Sequence, residues 1–247
     1  FIKQIRLLIM EVKAFISNYK EAFGEVAELP IVFWYSNSPI ANTEKINGCF
    51  FKGMELVEKG ESISLSINTI GCGGGKFYTC FTQMPERVPN FVSKQEKYKK
   101  TPEMVLEFID SLSMQPANKS YINFTRIDNI NSFENIEGIL FFATPDILSG
   151  LTAWAYFDNN SEDAVSSIFG SGCSSVVAQA LIENKKNGRR TFIGCFDPSV
   201  RPYLNSNTLS FVIPISRFKE MYYTMRDTCL FDTHAWSKVR ERINQNQ

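Results

Sequence analysis

Six short apolar runs, each bounded by turn formers and separated by stretches of helical periodicity, constrain this chain most. Ile31-Val-Phe-Trp-Tyr35 lies between Pro30 and Asn37-Ser-Pro39, and Tyr121–Arg126, Gly138–Phe142, Thr191–Cys195 and Thr208–Ile213 have similar lengths. Runs this short, rich in β-branched and aromatic residues, read as strands. Ser62–Ile67 alternates strictly, which predicts one packed and one polar face. The intervening segments repeat their apolar residues every three or four positions. Examples are Val12, Phe15 and Tyr19; Val105, Phe108, Ile109 and Leu112 behind the cap signal Thr101-Pro102-Glu103; Leu148, Leu151 and Ala155; and Cys173, Val176, Val177, Ala180 and Leu181. A short helix over 50–57 and a last one capped by Ser216 complete the set. Strands and helices interleave without a βαβ period, so the expected fold is α+β. It is a single domain over residues 1–247, with a mixed, mostly antiparallel sheet, packed helices, an N-terminal helix at 1–24 and a polar tail at 236–247. Each half carries a glycine-flanked cysteine segment, so two similar lobes are a variant of that architecture.

With 21 Phe, 9 Tyr and 3 Trp among 247 residues, the interior has ample apolar area to bury. Lys+Arg and Asp+Glu both number 26, which leaves no global field for nucleic acid or an anionic membrane surface. The basic clusters at 185–190 and 97–100 carry no regular aromatic interleaving and read as solvated faces. Between Phe1 and Met10 the uninterrupted apolar run is four residues, too short to span a membrane. None of the six cysteines forms a C-x-x-C pair, so reduced thiols in a cytoplasmic protein are expected.

Chemistry concentrates where cysteines sit among small residues. Cys72 precedes Gly73, Gly74 and Gly75, and Cys173 lies within Ser171-Gly-Cys-Ser174-Ser175. Glycines allow close backbone approach to a ligand, and consecutive ones cost conformational entropy, so a turn alone needs fewer. The segment around Cys72 is neither Walker A nor G-x-G-x-x-G, although its N–H groups could form an anion nest. A helix start at Cys173 predicts an acidified thiol, against the alternative of a small core hydrophobe. Asp197-Pro-Ser-Val-Arg201 follows Cys195 at a strand end. Asp197 and Arg201 are candidates for the ligand edge, with Arg201 suited to an anionic group; the alternative is a turn cap paired internally. Cys49, Cys72, Cys173 and Cys195 form a candidate ligand set for an iron–sulfur cluster or another metal, without diagnostic spacing. His234, the sole histidine, has no triad-like surroundings.

Taken together, Thr101-Pro-Glu103, Phe141-Phe-Ala-Thr-Pro-Asp146, Ser171-Gly-Cys-Ser-Ser-Val176 and Phe196-Asp-Pro-Ser-Val-Arg-Pro202 resemble the DUF169 family across most of the chain. That resemblance implies that Cys49, Cys72 and Cys173 share a site, and it implies no particular reaction. Members place proline after the cysteine that corresponds to Cys72, where this chain has Gly73. The expected function is binding of a small molecule or cofactor in a cleft lined by Cys72, Gly73, Gly74, Ser171, Cys173, Ser174, Asp197 and Arg201. The alternatives are a cysteine-dependent redox or iron–sulfur protein and a structural protein acting as a homo-oligomer.

Overall fold

A computed structural model describes residues 10–245. One seven-stranded sheet runs in the order β2-β3-β1-β4-β7-β6-β5. Its strands are β1 (Ile31–Ser36), β2 (Ile63–Leu65), β3 (Tyr121–Arg126), β4 (Gly138–Ala143), β5 (Val165–Ser166), β6 (Thr191–Gly194) and β7 (Leu209–Pro214). All neighbouring pairs are antiparallel except β5 with β6, so the fold is α+β with a mixed, mostly antiparallel sheet.

The central strands are buried on both faces. In β4, Ile139, Phe141 and Ala143 enter one apolar layer while Leu140 and Phe142 enter the other; in β7, Phe211 and Ile213 oppose Val212. Strands of this kind need helices on both sides, because an apolar face left in water forfeits roughly 1.5–3 kcal/mol per large side chain. One layer holds α1 (Val12–Phe23), α6 (Pro145–Tyr156), α8 (Ile215–Thr224) and α9 (His234–Gln245). The other holds α2 (Phe51–Glu58), α3 (Gly73–Tyr78), α5 (Pro102–Ser111) and α7 (Gln179–Lys185), with the short α4 (Val88–Asn90) beside α5.

The first layer is aromatic and tightly fixed. Phe15 meets Phe218 edge-on at 5.1 Å, Trp154 Nε1–H donates to Met221 O at 2.8 Å, and Trp236 Nε1–H donates to Ala22 O at 2.7 Å. Arg217, fully buried, ties α8 to the end of α6 by pairing with Asp158 and donating to Ala155 O at 3.0 Å.

Several expectations change. The part of the N-terminal helix expected over 1–9 lies outside the described residues, and α1 begins at Val12. Ser62–Ile67 does not have one polar face: Ser64 and Ser66 are buried, and Ile67 is exposed. Ser64 Oγ donates to Asn123 Oδ1 at 2.8 Å and accepts Ile40 N–H, so the 37–43 loop covers the strand. Ser216 does not cap α8; that helix starts at Ile215 behind Pro214, and Ser216 N–H is taken by Asn184 Oδ1 at 3.1 Å. Residues 236–245 of the expected polar tail belong to α9, which buries Trp236 and Ile243. Among the described residues no helix is long and apolar enough to cross a membrane.

Gly150 on α6 tests the first layer. A Cβ there would overlap the Trp236 indole and lie 2.6 Å from the Phe23 ring. The indole is pinned by its hydrogen bond and has little room to move. Gly150→Ala is therefore expected to destabilise the fold by about 1–3 kcal/mol, read as a lower urea midpoint with unchanged slope; an unaltered midpoint would contradict this packing.

Candidate functional site

On the second layer, away from the central strands, a partly open cavity of ≈ 260 Å³ lies between α3, the 84–99 segment, α5 and the turns at 169–171 and 197–199. An apolar cavity of about 150 Å³ holds one benzene, so this one has room for a ring with a short side chain.

Cys72 enters through the start of α3. It is the N-cap of that helix, and its sulfur accepts Gly75 N–H at 3.3 Å. The glycines that follow have separate causes. A Cβ at Gly75 would sit 2.9 Å from Cys72 Sγ and 3.0 Å from Ile70 Cγ2, so packing demands glycine there. At Gly74 a Cβ would meet nothing within 4 Å, and both Gly73 and Gly74 line the cavity. Packing therefore accounts for Gly75 and leaves Gly74 unexplained.

Ser171 lies at the foot of the helical run that leads into α7. That run contains a π-helical stretch at Ser174–Ala178, which does not line the cavity; a second lies at Phe91–Gln95, and its Phe91 and Val92 do. Such bulges recur at functional sites because they displace side chains from α-helical register. Cys173 sits behind Ser171, 7% exposed, with its Sγ 3.6 Å from Ser171 Oγ. Burial drives its thiol well above the ordinary range, and the nearby Cys72 and Cys49 push the same way. The acidification expected from a helix start does not occur, since desolvation of the thiolate outweighs it. Ser174 is also buried, and its hydroxyl has no hydrogen-bond partner among the described residues.

Asp197 forms the acidic end. It is 3% exposed, accepting Ser199 N–H at 2.9 Å and Ser199 Oγ–H at 2.8 Å. Beside it burial, and then the Asp197 charge, raise the Glu96 carboxyl and the Tyr98 phenol above their usual values. Tyr78, Phe91, Phe108 and Phe169 supply much of the remaining wall.

The other candidates lie elsewhere. Arg201 directs its guanidinium to the 205–208 loop, donating to Thr208 O at 2.6 Å and Ser206 O at 2.8 Å. Cys195 is buried beside Ser175, with its N–H on Ser175 Oγ at 3.2 Å, and burial raises its thiol to about 11. Cys49 is half-buried; burial raises its thiol first, then the charges of Cys72 and Asp197. Cys49, Cys72 and Cys173 are thus neighbours, yet among the described residues no group of three or more His, Cys, Asp or Glu side chains is placed to hold a metal ion. Cys195 lies apart from these three, beside Ser175.

A second, wider groove of ≈ 970 Å³ runs past Tyr35, Cys80 and Glu137, with Lys119, Lys185, Lys186 and Lys219 among its lining residues. Tyr35 OH donates to Thr79 O at 2.8 Å, and burial raises the Cys80 thiol to about 11. The smaller cavity is the better candidate site, because there the buried carboxylate, a half-exposed thiol and several aromatic rings line one volume.

Sequence reasoning missed Glu96, Tyr98, Phe91 and Phe169. The 83–100 segment has neither strand alternation nor helical period, and only the basic residues within it had attracted notice. Two aromatic residues either side of one acidic residue in a polar stretch were the available signal.

Thiol reactivity follows from this geometry. In the native protein at pH 8, iodoacetamide is expected to label Cys72 and the exposed Cys229, while Cys173 and Cys195 react only after denaturation. Peptide mapping checks this, and fast native labelling of Cys173 would overturn the burial argument.

No curated protein and no solved structure matches the chain. A family model, DUF169, described as an uncharacterised ArCR, matches residues 26–223, a span that takes in every segment lining the smaller cavity. The chain belongs to the DUF169 family.

Proposed function

We propose that this protein binds a small organic molecule in the cavity between α3, α5 and the 169–171 and 197–199 turns. One observation carries the reading: segments far apart in sequence border a volume whose wall combines apolar rings with a few convergent polar groups, the usual make-up of a ligand pocket. Gly74 supports it, since its missing side chain leaves open space at the cavity wall rather than room for a neighbour. The six free thiols fit a reducing, cytoplasmic location. Redox use of Cys173 is disfavoured, because a buried thiol with a raised pKa supplies little thiolate near neutral pH.

The test is a thermal-shift screen of compounds with about ten to fifteen non-hydrogen atoms, comparing the native chain with Gly74→Leu. A compound at 100 times its Kd adds about 2.7 kcal/mol, a rise of roughly 5–10 °C for a chain of this size. Hits are expected to stabilise the native chain and lose their effect on Gly74→Leu, whose own melting temperature stays close to native. Hits that stabilise both proteins equally would defeat the proposal.

A further inference from the structure

The charge arrangement around Asp197 identifies the ligand class, on the reading that the cavity is a ligand site. Asp197 and Glu183 are equally buried, at 3% exposure. Glu183 is gripped by Arg190, whose Nη2–H and Nε–H donate at 2.8 and 3.1 Å to the same oxygen. Asp197 has no ion pair among the described residues. Its donors are the Ser199 N–H and Oγ–H, with the Tyr98 hydroxyl also directed at the carboxylate, while a carboxylate offers about four acceptor positions. Arg201, four residues on, is held by backbone carbonyls. A carboxylate withdrawn from water with no counter-charge is unfavourable unless something cationic completes it, and Asp197 borders the cavity.

The walls favour the same charge. Aromatic faces attract cations through the ring quadrupole; the lining residues Arg87, 5.8 Å from the Phe91 centroid, and Lys99, 5.7 Å from that of Phe108, already take two of the rings, so the others are the ones open to a ligand. Tyr78, Tyr98 and Phe169 present further rings, and Glu96 adds a second carboxylate facing the same space.

We infer that the cavity takes an organic cation, a small amine with an aromatic or branched apolar body, whose ammonium group meets the Asp197 carboxylate. The apolar body lies among the rings, and the ammonium donates to the acceptor position that Ser199 and Tyr98 leave open. The volume of ≈ 260 Å³ suits one ring with a two-carbon amine arm. The anionic ligand expected from Arg201 finds no free guanidinium at that residue.

The test measures, by calorimetry, binding of 2-phenylethylamine, its neutral isostere 2-phenylethanol and the anion 3-phenylpropionate. The proteins are the native chain, Asp197→Asn and Gly74→Leu. Asparagine keeps an oxygen for Ser199 N–H and offers an N–H to Ser199 Oγ, so the turn is preserved. The amine is expected to bind the native chain at least tenfold more tightly than the alcohol. Asp197→Asn should abolish that preference by weakening the amine alone, and Gly74→Leu should weaken both. If Asp197→Asn does not fold, Phe169→Leu serves, with a several-fold loss expected for the amine and a smaller one for the alcohol. Equal affinity for amine and alcohol, tighter binding of the anion, unchanged amine affinity in Asp197→Asn, or no amine binding at millimolar concentration overturns the cation inference. The reading of the cavity as a ligand site fails separately, only if hits of the compound screen ignore Gly74→Leu.

Discussion

Burial of the central strands on both faces is the constraint from which the rest of this structure follows. β1, β4 and β7 alternate large apolar residues between two layers, and neither layer can be left to water. Helices must therefore cover both sides of an antiparallel sheet. The α1, α6, α8 and α9 layer answers with interlocking aromatic rings and indole hydrogen bonds to backbone carbonyls. The opposite layer answers with shorter helices, and it is less complete. Toward the β2–β3 edge it is the first-layer face of β3 that turns polar, carrying Asn123 and Thr125, satisfied by Ser36, Ser62, Ser64 and Asn129 rather than by a helix.

The cavity belongs to that second layer. Beside α5, its walls come from short or irregular segments: the six-residue α3, the π-helical stretch at Phe91–Gln95, and the turns at 169–171 and 197–199. A long α-helix fills the volume beside a sheet with a continuous ridge of side chains. Short, irregular pieces leave gaps, and here one gap forms a partly open cavity. Gly74 lines it, and Asp197 gives it a charge that no protein cation neutralises by an ion pair among the described residues.

Much of the frame was legible because periodicity reports burial. Thr101 does cap α5, accepting Met104 N–H, and the apolar runs at 31, 121, 138, 191 and 208 each contain a strand. Patterning was less informative where a polar residue is buried with a partner from elsewhere: Ser64 reads as solvent-facing until Asn123 and the 37–43 loop are seen to enclose it. The same limit applied at the site. Cys72, Gly74, Ser171 and Asp197 stood out locally as small or reactive residues at element ends, whereas Tyr98 and Glu96 lie in a segment with no period to read.

The sequence by itself determined where β1–β4, β6 and β7 and the helices α1, α2 and α5–α8 lie, and where the cysteine- and glycine-rich turns fall, because each is set by neighbours a few positions apart; β5, α3, α4 and α9 were not legible there. Only the tertiary structure decided what those turns face. It carried Cys195 and Arg201 into other surroundings, placed Cys173 behind Ser171 in a desolvated position, and left Asp197 without an ion-pairing cation among the described residues. The physical reason is that desolvation and charge pairing depend on which distant atoms surround a group, and side chains brought together from residues 72, 96, 108, 171 and 197 share no local pattern.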